Sequence, residues 1–595
     1  MRDFRESIRE REFKKEGFMK KSLISLLSVI LVFVLVSSAI AAGQFNGAWP
    51  YSPPPVGHFN TYATNNISLG MYYDLMEQPL AMYLWATGKW MPLLATKWSL
   101  NGKTNTFRVY LRKGVKWQDG KTFTAKDVLT TFYLGYLYNW AVWRYVDKVT
   151  AVDDYTVDFH MAVPCAPMVL ERYILRTQIR SDAVYGKYAS QVIALLNQGK
   201  KSDSDEMKKL RAEFDQFRPE RIVGTGPFIL DPKNLTESEA TLTRFDGYWD
   251  AEKIQFDKIK VYNGETPVVT PLVLSKEVDY ATHGFPPATE KQFIQLGVKI
   301  IRPPTYSGPA IYFNHNIYPF NLKEVRQAIA YAIKKEENAF VSLGDSAKRQ
   351  IYMTGISDNL VPLWISEAVQ KRLNKYDYNL DLAAKLLTNL GFKKGADGIW
   401  VTDKGTKMEY ELLVPAEYAD WSAAAENAAE QLTKFGIKTT VRGITYAQHP
   451  TEVRAGRFQM AIAAWGSAHP HAHFSYYADL ITYNYPSGLG PGMNFPLVQT
   501  TKSAGKVDLD KLITQSAEGY NTLEQKKIVE KLALAFNELL PIVPLWERYG
   551  NNPALDGVRV TGWPKDSDPI YKNSPYADNA VAIMLLNGTL KPVTK

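Results

Sequence analysis

The sequence predicts an α/β fold, and three observations carry that expectation. Short apolar–polar alternations and longer stretches of helical period follow one another along the chain, with no fixed repeat. Glycine-containing turns and helix-capping patterns mark where one kind of segment gives way to the other. The 595 residues, 46% hydrophobic and 22% charged, suffice for about three to four domains and lack the composition of a disordered chain.

Taken in order, the first 18 residues, MRDFRESIREREFKKEGF, are charged and fit no targeting pattern. Met19 followed by Lys20 and Lys21 reads as the natural start, and Lys15-Glu16-Gly17 matches what a purine-rich ribosome-binding sequence would encode; residues 1–18 are expected to be a mis-called start. Residues 19–41 have the three parts of a secretory signal: basic residues, an apolar run from Leu23 to Val36, and small residues at Ala39 and Ala41 for cleavage. The uncharged run from Ser22 to Ala42 is also long enough for a membrane span. Its small-residue end, with no basic residue just after Ala42, favours cleavage. Cys165 is the single cysteine, so a lipid-anchored amino terminus, an intramolecular disulfide framework and a thiolate metal cluster are all excluded. The expected mature chain is exported and soluble, on the periplasmic or extracellular side of the membrane.

Further along, FRVYLRKGVKWQDGKTF (107–123) alternates apolar and polar residues and turns at Asp119-Gly120, as a hairpin-like strand pair does. Thr124 with Asp127 forms a capping box that opens a helix. Residues 190–218 read as solvated helix with a polar loop. Asn321 with Glu324 predicts a second capped helix through VRQAIAYAIKKEENAF, and Asn379 a third, LDLAAKLLTNL, stopped by Gly391. No linker is long enough to separate independent domains.

The net charge is +9; residues 1–18 contribute +1 and Lys20 and Lys21 two more, leaving +6 from Ala42 onward. Those charges alternate in sign without a basic stripe, which argues against a nucleic-acid partner. Abundant Lys and Glu with one Cys is a thermophile's bias. Aromatics reach 13%, with 35 Tyr and 14 Trp, a composition suited to gripping ligands with flat amphipathic rings.

Six stretches then resemble, in the same order, the extracellular solute-binding proteins of the oligopeptide/dipeptide family (family 5), the substrate receptors of ATP-driven importers. They are PLLATKWSLNGKTNTFRVYLRKGVKWQDGKTFTAKDV (92–128), GTGPFIL (224–230), RFDGYWD (244–250), YFNHNIYPFNLKEVRQAIAYAI (312–333), YDYNLDLAAKLLTNLGF (376–392) and PIVPLWE (541–547). The resemblance implies a periplasmic-binding-protein type of fold: two α/β lobes joined by a hinge that close on ligand, with a third, smaller domain inserted in lobe one. Carried onto this chain, lobe one would be 43–80, 223–305 and 555–595, the inserted domain 81–222 and lobe two 306–554. It also implies a monomeric receptor without cofactor that works with membrane permease subunits and separate ATPase subunits; the chain itself has no P-loop. Most of the matching residues have structural readings, with Gly224 and Gly226 permitting a tight crossing and Tyr248 and Trp249 packing.

Peptide-binding members of the family carry a strand reading roughly A-x-W-x-x-D-Y, whose Asp neutralises the peptide's amino terminus. Ala464, Trp465, Gly466 and Ser467 occupy that strand here, but Ala468 stands at the acid position. A buried ammonium without a counter-ion costs several kcal/mol, so the expected ligand is instead a short β-linked oligosaccharide. Thermophilic members similar in the aromatic start GAWPYSPPPVGHFNTYATNN (47–66) and in the ending VTGWP…LKPV bind cello- or manno-oligomers. A sugar's apolar face and hydroxyl rim call for flat rings and neutral hydrogen-bonding groups. The candidate ligand residues are Trp49, Tyr51, Asn65, Asn66, Trp421, Trp465, Gly466, Ser467 and His469, with Trp49 and Trp465 foremost. Asn65-Asn66 also suits a plain turn, and Trp140 and Trp143 suit helix packing. An oligopeptide or dipeptide receptor is the alternative.

In AAWGSAHPHAHF (463–474), His469, His471 and His473 would share one face of an extended segment. Three ligands along one strand cannot wrap tetrahedrally round an ion, no acid lies within the stretch, and Pro470 interrupts it, so no metal site is expected. The expected arrangement is a pocket-edge loop with one histidine donating to ligand and the others in solvent. A secreted polysaccharide hydrolase is the rival class. It would need two carboxylates at a set separation, and neither G-x-S-x-G nor H-E-x-x-H is present; the chain is expected not to be an enzyme.

Overall fold

The computed structural model describes residues 43–594, a mixed α/β structure; the expected start at Met19 and the signal at 19–41 lie outside them. The first sheet begins with Gln44–Ala48, parallel to Lys258–Tyr262, which continues antiparallel to Glu239–Arg244 and then Phe228–Leu235. Phe45, Leu242, Ile259 and Val261 from these strands share a core with Met584 of the helix Ala580–Leu586.

A second, antiparallel sheet runs in the order Ala95–Asn101, Thr106–Leu111, Thr156–Met161, Val146–Asp153. Alternate residues of Thr106–Leu111 are buried, so Phe107, Val109 and Leu111 face the helix Ala125–Leu137 and a core that includes Phe132, Phe159 and Phe214. The strand's partners are the neighbours on either side, not the residues beyond Asp119-Gly120. Gly114, at φ +80°, turns the chain away first, and the Asp119-Gly120 turn closes only a small loop in which Trp117 N donates to Lys121 O at 2.9 Å.

The third sheet has five strands in the order Lys438–Ile444, Glu409–Pro415, Met460–Gly466, Ser307–Phe313, Ile542–Pro544. The first three are parallel, and Ser307–Phe313 is antiparallel to both of its neighbours. This sheet is buried on both faces, and its central strands accordingly read as nearly continuous apolar runs. Ala461, Ala463 and Trp465 face one core with Tyr476 and Phe536, while Met460 and Ile462 face the other with Leu412 and Trp546. Two connections join the first and third sheets: Lys299–Ile301 pairs antiparallel with Asn552–Ala554, and Thr305 N donates to Arg548 O at 3.0 Å.

Two of the three capping expectations match the structure. Thr124 N donates to Asp127 Oδ2 at 2.8 Å, and Asn379 Oδ1 accepts from Leu382 N at 2.9 Å, with Gly391 at φ +83° past the helix end. Asn321 is different. The helix there, Lys323–Ala332, is preceded by Leu322 and has no side-chain cap. It also stops short, because the buried Lys335 turns its Nζ onto Ala330 O at 3.0 Å and a second helix, Lys335–Leu343, begins. At Gly224 and Gly226 a Cβ would collide with the carbonyls of Met76 and Leu75, so the close crossing there requires glycine. Trp140 stacks on Tyr62 at 5.9 Å, and Trp143 Nε1 donates to Phe132 O, which is packing. No helix among the described residues is long and apolar enough to cross a membrane.

Candidate functional site

Where the two connections enter the third sheet, the chain encloses a cavity of about 440 Å³. One wall comes from the segment after the first strand (Trp49, Pro50), from Glu265 and Thr266, from Thr282 to Gly284, and from Tyr576. The opposite wall is Ser307, Gly308, Tyr418, Asp420, Trp421, Ala464 and Gly466 to Ala468, and Arg548 projects between the two. Trp49 meets Tyr576 edge-on at 6.2 Å, and Tyr418 meets Trp421 edge-on at 5.3 Å, so each wall carries an aromatic pair. Tyr576 lines the cavity and keeps 46% of its surface free.

Two acids occupy helix starts on opposite walls. Glu265 is the residue before the helix Thr266–Leu274, and its side chain makes no capping bond. Asp420 lies in the first turn of Ala419–Phe435, only 2% exposed, with Oδ1 accepting from Trp421 N at 3.0 Å. Gly284 abuts it: a Cβ there would overlap the Asp420 carboxylate. Arg548 Nη1 lies 3.5 Å from Asp420 Oδ2, and its Nη2 donates to Thr282 O at 2.9 Å, the same carbonyl that Tyr576 OH reaches at 2.7 Å.

Burial, reinforced by the Asp420 charge, pushes the Glu265 carboxyl up to about 8 despite the opposing pull of Arg548. Burial works against the Arg548 charge, but Tyr576, Asp420 and Glu265 facing it hold its pKa above the ordinary value. His283 Nε2 is bonded to Gly264 O at 2.9 Å, so that nitrogen carries the hydrogen and Nδ1 is an acceptor. Burial keeps this imidazole neutral, at about 4, and Nε2 stands 3.8 Å from Glu265 Oε2. Asp420 Oδ2, His283 Nδ1 and Arg548 Nε are buried without a hydrogen-bond partner.

Of the residues singled out from the sequence, Trp49, Trp421, Gly466 and Ser467 line this cavity. Trp465 does not. It is fully buried on the other face of its strand, with Nε1 donating to Trp546 O at 3.2 Å, and Ala464 takes the cavity position. A period of two makes this a one-residue error that exchanges the faces. Tyr51 is buried, and its OH donates to Thr236 O at 2.9 Å, which ties down the chain away from the cavity. Asn65 is left-handed at φ +63° and Asn66 Nδ2 donates to Ala63 O at 2.8 Å, so the pair is a turn.

His469 is likewise off the cavity, 1% exposed and packed against Phe474 at 4.1 Å. The stretch is bent rather than extended. His471 N donates to His469 Nδ1 at 3.1 Å and His473 N to His471 Nδ1 at 3.2 Å, leading into the helix His473–Tyr477. His471 packs on Trp364 at 4.3 Å, and His473 is held between Ile513 O and Tyr173 OH, each at 2.9 Å. None of the three reaches solvent as expected. Burial lowers all of them, His471 to about 3, His473 to about 4 and His469 well below the ordinary value. Among the described residues no group of three or more His, Cys, Asp or Glu could hold a metal ion.

Glu265, His283, Tyr418, Asp420, Arg548 and Tyr576 were not legible as site residues. The available signals were helix starts: Glu265 stands before Thr266-Pro267, and Asp420 next to Trp421. Nothing local marks Arg548 or Tyr576.

Comparison with known proteins agrees with this architecture. A model of the "Bacterial extracellular solute-binding proteins, family 5 Middle" matches residues 89–487. The dipeptide-binding protein of Escherichia coli (strain K12) is 23% identical over 483 residues, 76% of this chain and 80% of that protein. A periplasmic oligopeptide-binding protein of Thermotoga maritima with mannohexaose bound superposes with a TM-score of 0.72 at 20% identity, covering 93% of this chain and 99% of that one. The oligopeptide-binding protein AppA of Bacillus subtilis, in complex with a nonapeptide, gives 0.70 at 18% identity, with 93% and 99% covered. Such identities speak to the fold alone, but the family model spans well over half of the sequence, and the chain belongs to the bacterial extracellular solute-binding proteins of family 5.

Proposed function

We propose that this chain is the substrate-binding receptor of an ATP-driven importer, and that it captures a short peptide. The observation that carries the peptide reading is the pair of buried acids on the cavity walls, Glu265 and Asp420. Ala468 removes the acid from the strand end, but the oligosaccharide expectation required a cavity without one, and two other elements supply carboxylates. The E. coli relative is named for dipeptide binding and AppA was solved with a nonapeptide. A volume of about 440 Å³ belongs to the small end of ligand pockets, which run from roughly 300 to 1,000 Å³.

On this reading the connections at 299–305 and 548–554 are the hinge between lobe one (43–80, 223–305, 555–595) and lobe two (306–554), with 81–222 as the inserted domain. Ligand bridges the walls and favours the closed form because it binds that form better. Permease and ATPase subunits are separate partners. A second reading has its own support: aromatic pairs on both walls suit a sugar face, and the T. maritima structure holds mannohexaose.

Thermal unfolding of residues 42–595 against di- to pentapeptides and cello-, manno-, xylo- and laminari-oligosaccharides separates the two. At 100-fold excess over its dissociation constant a ligand adds about 2.7 kcal/mol of stability. The expected result is a clear rise in melting temperature with peptides and none with the neutral sugars; a rise with one sugar series alone overturns the peptide reading.

A further inference from the structure

The inserted domain (81–222) is held on two sides, and by different means. Toward lobe one it is fixed by buried ion pairs. Arg176 reaches both oxygens of Asp74, at 3.0 and 2.7 Å, and its Nε lies 2.9 Å from Asp578 Oδ1, while Arg172 pairs with the other oxygen of Asp578. Both acids are buried, and separating such a pair would strand a charge away from water. Toward lobe two (306–554) the contacts are mostly hydrogen bonds, which water can replace at small net cost. Ala166 N donates to Ala517 O and Gly519 N to Pro164 O, each at 2.7 Å, an antiparallel bridge centred on Cys165 and Glu518. Arg144 Nη1 donates to Asp510 Oδ1 at 2.7 Å and to Thr514 Oγ1 at 3.0 Å, and the Arg144–Asp510 pair is partly exposed. His473 Nδ1 is bonded to a carbonyl, that of Ile513, so it carries the hydrogen, and Nε2 accepts from Tyr173 OH at 2.9 Å. Phe474 rests on Tyr173 at 4.9 Å. Trp85 also stacks on Tyr306 at 4.1 Å, but Tyr306 directly follows the connection at 299–305, so that contact lies at the hinge itself.

We propose that the seam between the inserted domain and lobe two is a clasp: it opens when the lobes part, re-forms when they close, and sets how long a captured ligand stays. With the inserted domain fixed to lobe one, a rotation of lobe two about the connections carries Glu518 away from Cys165 and Asp510 away from Arg144. The clasp is wired to the cavity through the histidine loop. Gly466 to Ala468 line the cavity, and a few residues further on His473 takes the Tyr173 hydroxyl, while Arg144 lies over the Tyr477 ring at 5.1 Å. Arg144 and Tyr173 line no part of the cavity, so they act on binding only by stabilising the closed form, whose population scales the apparent affinity. This rests on the receptor reading with its hinge, and not on the choice between peptide and sugar.

The test uses Cys165, the single cysteine of the sequence. The flanking bonds make Cys165 and Glu518 a non-hydrogen-bonded antiparallel pair, whose Cα atoms lie about 4.5 Å apart, within reach of a disulfide. Glu518→Cys in the mature chain, loaded with tri-alanine or with mannohexaose and then oxidised, should form that disulfide, checked by a thiol count after unfolding. Release of the bound probe should then be roughly tenfold slower or more, and reduction should restore it. The double variant Arg144→Ala/Tyr173→Phe should do the reverse, releasing faster and binding about three- to tenfold more weakly. Without any probe, X-ray scattering should give the double variant a larger radius of gyration than the oxidised Glu518→Cys chain. A disulfide that forms and leaves both release and radius of gyration unchanged overturns the clasp, because the inserted domain then travels with lobe two. A double variant with the parent's affinity, release and radius overturns it as well, and decides the matter should the disulfide not form. If neither probe binds any form of the chain, it is the receptor reading that fails in the binding assay, and the scattering comparison still decides whether the seam opens.

Discussion

The strand end at Ala464–Ala468 and the histidine loop at His469–His473 are consecutive in the chain, and their surroundings are opposite. Ala464, Gly466, Ser467 and Ala468 border the cavity, whose other walls bring the unpartnered acceptors Asp420 Oδ2 and His283 Nδ1. The histidines carry Nε2 groups without partners at His469 and His471, yet their rings are wedged against Phe474 and Trp364. A polar atom without a partner points to a ligand only where there is room for one. The loop has the residues usually associated with chemistry and no room; the strand end has the room and chemically plain residues.

The two regions also respond oppositely to pH. His471 and His473 have folded values, about 3 and about 4, below the ordinary 6.5, so the stability they confer is present above 6.5 and lost as pH falls through those values. Each can cost up to about 1.4 kcal/mol per pH unit over that window. Glu265, raised from 4.5 to about 8, contributes stability that is full below 4.5 and lost as pH rises to 8. The largest expected effect is therefore on the acid side. Urea-unfolding midpoints should fall steeply between pH 6.5 and 4, and a flat profile there would show that the histidines are not buried in neutral form. On the other side, Glu265→Gln should flatten the ligand-free profile between pH 4.5 and 8, and an unchanged slope there would mean that the carboxyl is solvated.

The tryptophans give the next contrast in size. Trp465→Ala empties a fully buried site and should destabilise by about 3–5 kcal/mol. Trp421→Ala, at the cavity wall, should cost under about 1 kcal/mol in the ligand-free chain and instead weaken ligand-induced stabilisation by about 1 kcal/mol. Were Trp465→Ala the milder of the two in stability, its assignment to the core would be wrong.

The smallest effect concerns the caps. Asn379→Ala should lose about 1 kcal/mol, because its side chain accepts from Leu382 N, while Asn321→Ala should fall within about 0.5 kcal/mol of the parent, its helix having no side-chain cap. Equal losses in chemical denaturation would erase that distinction.

What was legible locally follows from these pairs. The capping box at Thr124 needs only residues three apart, and Asn379 with Gly391 needs one helix, so both could be read from sequence alone. Asn321 had the same pattern, but the helix begins after Leu322 with no side-chain cap, and the run ends early at the buried Lys335, where a second helix begins. The family resemblance put Ala464 to Ser467 on a strand, and the structure has one at Met460–Gly466, yet a strand covered on both faces offers no alternation to say which side Trp465 takes.

The sequence by itself determined the α/β class, several strand and helix positions, the tight crossing at Gly224 and Gly226, and the family resemblance, because each depends on local propensity, patterning or ordered motifs. Only the tertiary structure decided that Ala464 rather than Trp465 faces the cavity, that the three histidines are core, and that Glu265, His283, Asp420, Arg548 and Tyr576 meet round one space. Those residues come from five separate segments, and a carboxylate's charge state depends on who faces it and how far from water it lies. Neither is a property of any window of the sequence.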